Sequence, residues 1–410
     1  MERTMQFENI KKISPIAYTF TLSPTHVSYA NTLRRLIMTG VESVAFRADM
    51  TNVGTTTDVT IRANTTPMTN EMLAHRIGLL PITVKDPLKW NPDRYAFKLT
   101  ATGDKDKPKD IFAGDFIVTE KVPTEDEPVQ VPTEQFFPPN RITGETCLIA
   151  TLYPGETQKL ELVARATIGT GRENARFQPT QQCSYEYTRD PDPLKKQALF
   201  ERWLTDAKKV NVTGVDKESE QYKMLDREFN TMEVARCYMK DDRGEPYSFD
   251  FTVETVGPLD VPYIVQRACD VGEAMVSRYV NIEKGELPEE MQITPSNSRV
   301  LGYDFMIRGH DHTLGNMLQT YLEEKHIDNT ATGTTKITYV GYTVPHPLRD
   351  EMLLRIGVED GQEHTARKAL AEACRGCADI MRTMREAWMH ATGAPTSVTL
   401  RRKAAPSTKK

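Results

Sequence analysis

No stretch of eighteen apolar residues occurs in the 410-residue sequence, and the opening MERTMQFENIKK has no apolar signal core. A membrane-spanning helix and a cleaved leader are therefore not expected. Cysteine is sparse, six in all at positions 147, 183, 237, 269, 374 and 377, too scattered for a disulfide framework, so free thiols in a reducing compartment are expected. Positive charge is not in excess: 52 Lys and Arg stand against 57 Asp and Glu, a formal net charge of −5. That balance argues against a protein whose main task is to grip nucleic acid. Length alone predicts two or three domains with ample core.

What the sequence does have is an echo. NTLRRLIMTG at 31–40 returns in HTLGNMLQTYLEEK at 312–325, with Thr32, Leu33, Leu36 and Ile37 lining up with Thr313, Leu314, Met317 and Leu318. From Leu33 the apolar positions fall at Leu36, Ile37 and Val41; from Leu314 they fall at Met317, Leu318, Tyr321 and Leu322. Both spacings predict amphipathic helices with one apolar stripe. Each follows an alternating segment, Tyr18, Phe20 and Leu22 in one case, Tyr303, Phe305 and Ile307 in the other, whose period of two predicts a half-buried strand. The repeated unit is strand, short turn, helix.

Longer strings carry more information. ANTLRRLIMTGVESVAF, NEMLAHRIGLLPI, DIFAGDF and ARATIGTGRENARFQPT occur in that order in the first half, and DHTLGNMLQTYLEEK and GYTVPHPLRDEMLLRI in the second. The first set resembles the third-largest subunit of eukaryotic RNA polymerase II, its archaeal counterpart and, more remotely, the bacterial alpha subunit. The second set resembles the small eleventh subunit. The resemblance implies an α+β fold in which two related strand-helix dimerisation folds form an intramolecular pseudo-dimer, the first interrupted by a mostly β inserted domain. It also implies a fusion of both partners of a dimer head to tail. The stripe residues Leu33, Leu36, Ile37, Leu314, Met317, Leu318, Tyr321 and Leu322 then become the pseudo-dimer interface.

The expected organisation is a discontinuous first dimerisation domain at 1–47 and 245–282, an inserted β-rich domain at 48–190, and a partly helical segment of unassigned role at 191–244. A linker at 283–298 follows, its ELPEEMQITPSNS polar and interrupted by proline. The second dimerisation domain spans 299–392, its last helix long enough to pack against the first half, and 393–410 reads as a disordered tail.

Candidate chemistry is thin. Arg34 and Arg35 lie about 100° and 200° around the helix from Leu33, off the apolar stripe and free to meet another surface. The resemblance implies that this surface belongs to the second-largest polymerase subunit, and that His75 and Arg76 of the NEMLAHRIGLLPI string and Gly171, Arg172 and Asn174 of the GTGRENARFQP loop also contact a large subunit. Gly315 and Asn316 fall opposite the arginine pair in the echo, so only one side offers it. Gly-x-Gly at 169–171 lacks the third glycine and helix start of a phosphate cradle. His310, Asp311 and His312 could offer two histidines on one extended face, but Asp311 is equally placed to cap the following helix. Cys374 and Cys377 form a lone CxxC inside a predicted helix. No metal and no cofactor are expected. Nor does an Asp-x-Asp-x-Asp run of the kind that holds two magnesium ions appear.

Function is therefore expected to be that of a non-catalytic assembly platform of a multisubunit DNA-directed RNA polymerase. Its partners would be the second-largest and largest subunits and other small polymerase subunits, with DNA and RNA met only indirectly and no membrane. A freestanding transcription adaptor and a metal-dependent hydrolase are the alternatives. Both halves in one chain resembles the arrangement in large cytoplasmic DNA viruses, which implies a viral source acting in the host cytoplasm (viral factory) and the virion; the nucleus is the alternative, with the basic tail as a localisation signal.

Overall fold

The computed structural model describes residues 4–51, 56–122, 124, 127–210, 219–297, 299–327 and 333–393. Ser298 and all but the first residue of the expected tail lie outside them.

In chain order, β1 (Gln6–Lys12), β2 (Ala17–Ser23) and α1 (Val27–Thr39) open the molecule. A second unit follows: β3 (Glu42–Ala45), β4 (Val59–Asn64), α2 (Asn70–Gly78), β5 (Tyr95–Thr102), β6 (Lys109–Phe112), β7 (Ile117–Glu120), β8 (Val129–Val131), β9 (Leu148–Leu152), β10 (Lys159–Ala164) and β11 (Thr167–Thr170). The chain returns through β12 (Thr180–Tyr187), makes a helical pair α3 (Pro193–Asp206) and α4 (Glu220–Thr231), and continues into β13 (Phe249–Thr255) and α5 (Val261–Ser277). The second half is β14 (Met291–Pro295), β15 (Gly302–Arg308), α6 (His312–Leu322), β16 (Tyr339–Thr343), β17 (Glu351–Gly357) and α7 (Glu363–Thr392).

Two antiparallel sheets share one topology. Their orders are β1-β2-β13-β12 and β14-β15-β17-β16, so each half is hairpin, helix, hairpin, helix. What differs is what is spliced between the parts. The β unit, with its main sheet β4-β10-β5-β7-β8, sits between α1 and β12, and the α3/α4 pair sits between β12 and β13. Alternation in β13, where Phe249, Phe251 and Val253 are buried, gives the sheet one apolar face. Onto it pack α1, α5 and the end of α7, α6 lies on β16 and β17 of the second sheet, and the two halves fill one continuous core from Phe7 to Trp388. The β unit has its own core, Val44 to Ala166, and the helical pair a small third one around Phe200, Leu204, Phe229 and Val234.

Three expected boundaries differ in the structure. Glu42–Ala45, assigned to the first dimerisation domain, pairs with β11 and joins the core of the β unit. Thr180–Tyr187, assigned to the inserted domain, is the edge strand of the first dimerisation sheet, paired along β13. Met291–Pro295, assigned to the linker, pairs with β15. The last two are edge strands, hydrogen-bonded to one neighbour only; Thr180–Tyr187 reads as a strand in either domain, and an edge tolerates the polar sequence and the proline that made Met291–Pro295 read as linker.

The echo itself is one helical turn out of step. Equal turns join β2 to α1 and β15 to α6, so the register that pairs Tyr18 with Tyr303 continues to the helix caps His26 and Asp311, which accept from the N–H groups of Ser28 and Thr313. It then pairs Ser28 with Thr313, Asn31 with Asn316, Leu33 with Leu318 and Ile37 with Leu322. Burial agrees, since Ser28, Tyr29, Ala30, Thr32, Leu33 and Ile37 are buried in α1 and their partners in this register are buried in α6. The counterparts of Arg34 and Arg35 are thus Gln319 and Thr320, not Gly315 and Asn316. The basic pair remains one-sided.

Candidate assembly surface

α1 and α6 meet through a polar seam. At one end Ser28 Oγ accepts from Thr320 Oγ1 at 2.7 Å and from Asn316 Nδ2 at 3.1 Å. At the other, Arg35 donates through Nε to Thr313 Oγ1 at 2.7 Å and through Nη2 to Asp311 Oδ2 at 3.1 Å. Asp311 Oδ1 meanwhile accepts from Thr313 N–H at 2.8 Å, capping α6. Burial opposes ionisation of Asp311, but Thr313 and the nearby arginines outweigh it and hold the carboxyl below its usual range. Arg35 is therefore engaged inside the chain, which corrects the expectation that it is free to meet another surface.

The stripes lie in the shared core. Leu33, Leu36, Ile37, Leu314, Met317, Leu318 and Leu322 are all buried. Leu36 reaches α5 and α7: a methyl at Gly272 would fall 2.9 Å from its Cδ1 and 2.8 Å from Met381 Sδ. Tyr321 is half-buried and lies over α7, where a methyl at Gly376 would meet its ring at 2.0 Å. Trp388 of α7 crosses into the first half, edge-on to Phe7 at 5.0 Å and Phe20 at 4.9 Å.

The 171–176 loop is tied to both halves, with Arg172 and Glu173 exposed. Gly171 is pressed against the end of α1, where a methyl would lie 2.5 Å from Met38 O. Arg172 N–H donates to Thr39 O at 3.0 Å, and its side chain reaches Gly309 O at 2.9 Å and pairs with Asp350, bridging the halves. Asn174 Oδ1 accepts from Arg176 N–H and Nε, both at 3.1 Å. Hydrogen bonding from Arg47 at 2.7 Å depresses the pKa of Glu173.

Three predicted residues face outward. Arg34 Nε donates to Asn31 Oδ1 at 3.0 Å and Nη1 approaches Met38 Sδ at 3.4 Å, both on its own helix. It opens on a concavity of about 540 Å³ shared with Cys183, Tyr185, Tyr187 and Arg189. His75 and Arg76 are exposed on α2, with Arg76 donating to Leu148 O at 3.1 Å. Sequence reasoning missed their neighbours. Met72 and Leu79, 61 % and 54 % exposed, are three or four residues from His75 and Arg76 and so complete one face of the helix. The signal was available: Leu73, Ala74 and Ile77 take the core side, leaving two large apolar residues on the other.

The histidines diverge. His310 is buried with Nε2 2.8 Å from the Tyr279 hydroxyl, Asp311 caps α6, and His312 is exposed with its ring edge-on to Tyr342. Cys374 and Cys377 are buried in the α7 core, and burial pushes both thiols up. Among the described residues no group of three His, Cys, Asp or Glu is placed to hold a metal ion.

Two copies of one hairpin-helix unit, paired through their helices around a common core, define a dimerising scaffold of the α+β class. Comparison with known proteins agrees. Residues 19–274 and, separately, 303–387 match the RNA polymerase Rpb3/Rpb11 dimerisation domain, and the chain belongs to that family as an alpha-like RNA polymerase subunit. It is 30 % identical over 270 residues to the DNA-directed RNA polymerase subunit Rpo3 of Methanopyrus kandleri, covering 62 % of this chain and 87 % of that protein. With the DNA-directed RNA polymerases IV and V subunit 3B of Arabidopsis thaliana it shares 26 % identity over 289 residues, 62 % of this chain and 83 % of the relative.

Proposed function

We propose that this chain is the assembly platform of a multisubunit DNA-directed RNA polymerase, docking the second-largest and largest subunits and contributing no catalytic residue. The observation that carries the reading is the packing of two Rpb3/Rpb11-type units around one core, which leaves Arg34 and the Met72, His75, Arg76, Leu79 face of α2 turned outward. An apolar face edged by cations suits a protein partner with a central hydrophobic patch and an acidic rim. Both units in one chain support a fusion of two partner subunits. That arrangement is our reason for proposing a large DNA virus as source, with the protein acting in the host cytoplasm and carried in the virion.

The test is coexpression with the second-largest subunit and pull-down. Arg35 is a poor probe because its reversal also breaks the seam. Arg34→Glu combined with Arg76→Glu should leave the melting temperature nearly unchanged and lower recovery of the partner about tenfold or more, as expected for reversed charge at a desolvated contact. Recovery equal to wild type would remove these two faces from the docking surface.

A further inference from the structure

The pseudo-twofold relation between the halves makes the α1/α6 seam a test of which helix pairs with which. Its two ends are symmetry mates with unlike contents. At one end Arg35 faces Thr313 and the cap residue Asp311. At the other, Thr320, the counterpart of Arg35, faces Ser28, the counterpart of Thr313, and borders a recess with His26, the counterpart of Asp311. One end pairs a cation with an anion across the seam; at the other the α1 and α6 positions themselves are uncharged, and the charges lie beside them in the recess, on Asp241, Arg243 and Glu245 of the first half and Glu323 and Glu324 of the second.

We infer that the Arg35–Asp311 pair is a recognition code that makes the two halves choose each other over copies of themselves. Pairing α1 with a second α1 would repeat one geometry twice, setting each Arg35 against a His26 whose Nδ1 already accepts from Ser28 N–H at 3.1 Å. Both arginines would lose the cap carboxylate of Asp311 and meet only the recess beside His26, where Asp241 and Glu245 are accompanied by Arg243. Pairing α6 with a second α6 would set each Asp311 against Thr320, and both carboxylates would lack a cation. Unlike pairing gains one ion pair per interface, and each like pairing gains none while desolvating two charges. The side chains are only 35 % and 34 % exposed, so neither mispaired charge is left fully in water. Discrimination thus comes from penalties on the wrong pairings as much as from the contact in the right one. Leu33 and Leu318, and Ile37 and Leu322, are interchangeable in kind and do not discriminate. The inference concerns pairing within the chain and does not depend on what the protein docks.

The experiment uses the whole chain with a protease site inserted between Glu286 and Leu287. After cleavage both pieces are unfolded together in denaturant, refolded by dilution, and the pairings counted by native mass spectrometry. Wild type should return almost wholly as unlike pairs. Arg35→Thr with Asp311→His, which leaves the two ends differing only in Thr313 against Ser28, should raise the ratio of like to unlike pairs about tenfold, the scale of two partly exposed ion pairs lost together. The exchange Arg35→Asp with Asp311→Arg should keep the wild-type distribution while lowering the melting temperature through loss of the α6 cap. Arg35→Gln, which keeps the length of the side chain, should shift the distribution the same way as the double substitution and serves if that protein does not refold. A wild-type distribution in Arg35→Gln, or in Arg35→Thr with Asp311→His a lower melting temperature with no change in pairing, would overturn the proposal.

Discussion

Single residues in this protein tend to serve both halves at once, and His310 shows it. It precedes the cap of α6, is 8 % exposed, and holds the hydroxyl of Tyr279 from the first half. Burial, with Arg172 and Arg278 nearby, keeps its pKa below the usual 6.5, although Asp311 and Glu290 pull the other way. Folding therefore favours the neutral ring. Above pH 6.5 neither the folded nor the unfolded chain holds the proton, and the contribution is complete. As pH falls below 6.5 the unfolded chain protonates first, and stability declines until the folded pKa is passed. The melting temperature should rise as pH is brought up towards about 6.5 and level off above it, and His310→Gln should flatten that part of the curve. An unchanged slope in differential scanning calorimetry would assign the dependence to other groups.

Among the elements, α7 does the most to join the halves. Its start packs on its own sheet. Its end carries Trp388, fully buried, with the indole N–H donating to Pro262 O at 3.0 Å at the start of α5. Between them Arg382 and Arg385 reach Glu273 and Asp270 of α5 at 2.8 to 3.0 Å. Those exposed or half-exposed pairs contribute little each, whereas the indole fills a pocket walled by Phe7 and Phe20. Trp388→Ala should destabilise the protein by about 3 to 5 kcal/mol, the usual cost of emptying a large aromatic site, as measured by denaturant unfolding. A change under about 1 kcal/mol would mean that the end of α7 is not anchored in the first half. The length and stripe of α7 were readable from EHTARKALAEACRGCADIMRTMREAWMHA. Its reach to the first half was expected from its length, but the seat of Trp388 between Phe7 and Phe20 was not, because an apolar stripe names a buried face but no partner.

At the scale of the whole molecule the covalent connection adds little to a pairing that is already extensive. Core residues of both halves interleave in one cluster, and Arg35, Arg172, Tyr279 and Trp388 each bond across the division. Cleavage in the 286–287 turn without denaturant should leave a complex that runs on gel filtration with the uncut chain, since interfaces of this obligate kind typically bury about 2,000 Å² or more. Separation of the pieces would show that the tether holds them together. Before any break, the tether supplies an effective concentration on the order of millimolar, which speeds pairing without choosing the partner.

The sequence by itself determined the repeated strand-turn-helix unit and the stripe residues of α1 and α6, because each depends on local periodicity, and its longer motifs carried the resemblance that implied the α+β class. Tertiary structure alone decided the register of the repeat. A shift of four residues turns a helix by only about 40° and leaves an apolar stripe nearly intact, so the sequence could not tell Leu33 opposite Leu314 from Leu33 opposite Leu318. The equal turns from β2 and β15 decide it. Tertiary structure also separated Arg34 from Arg35. One residue apart on a helix, they differ by about 100° in direction, and only the position of α6 places a carboxylate beside one and open space beside the other.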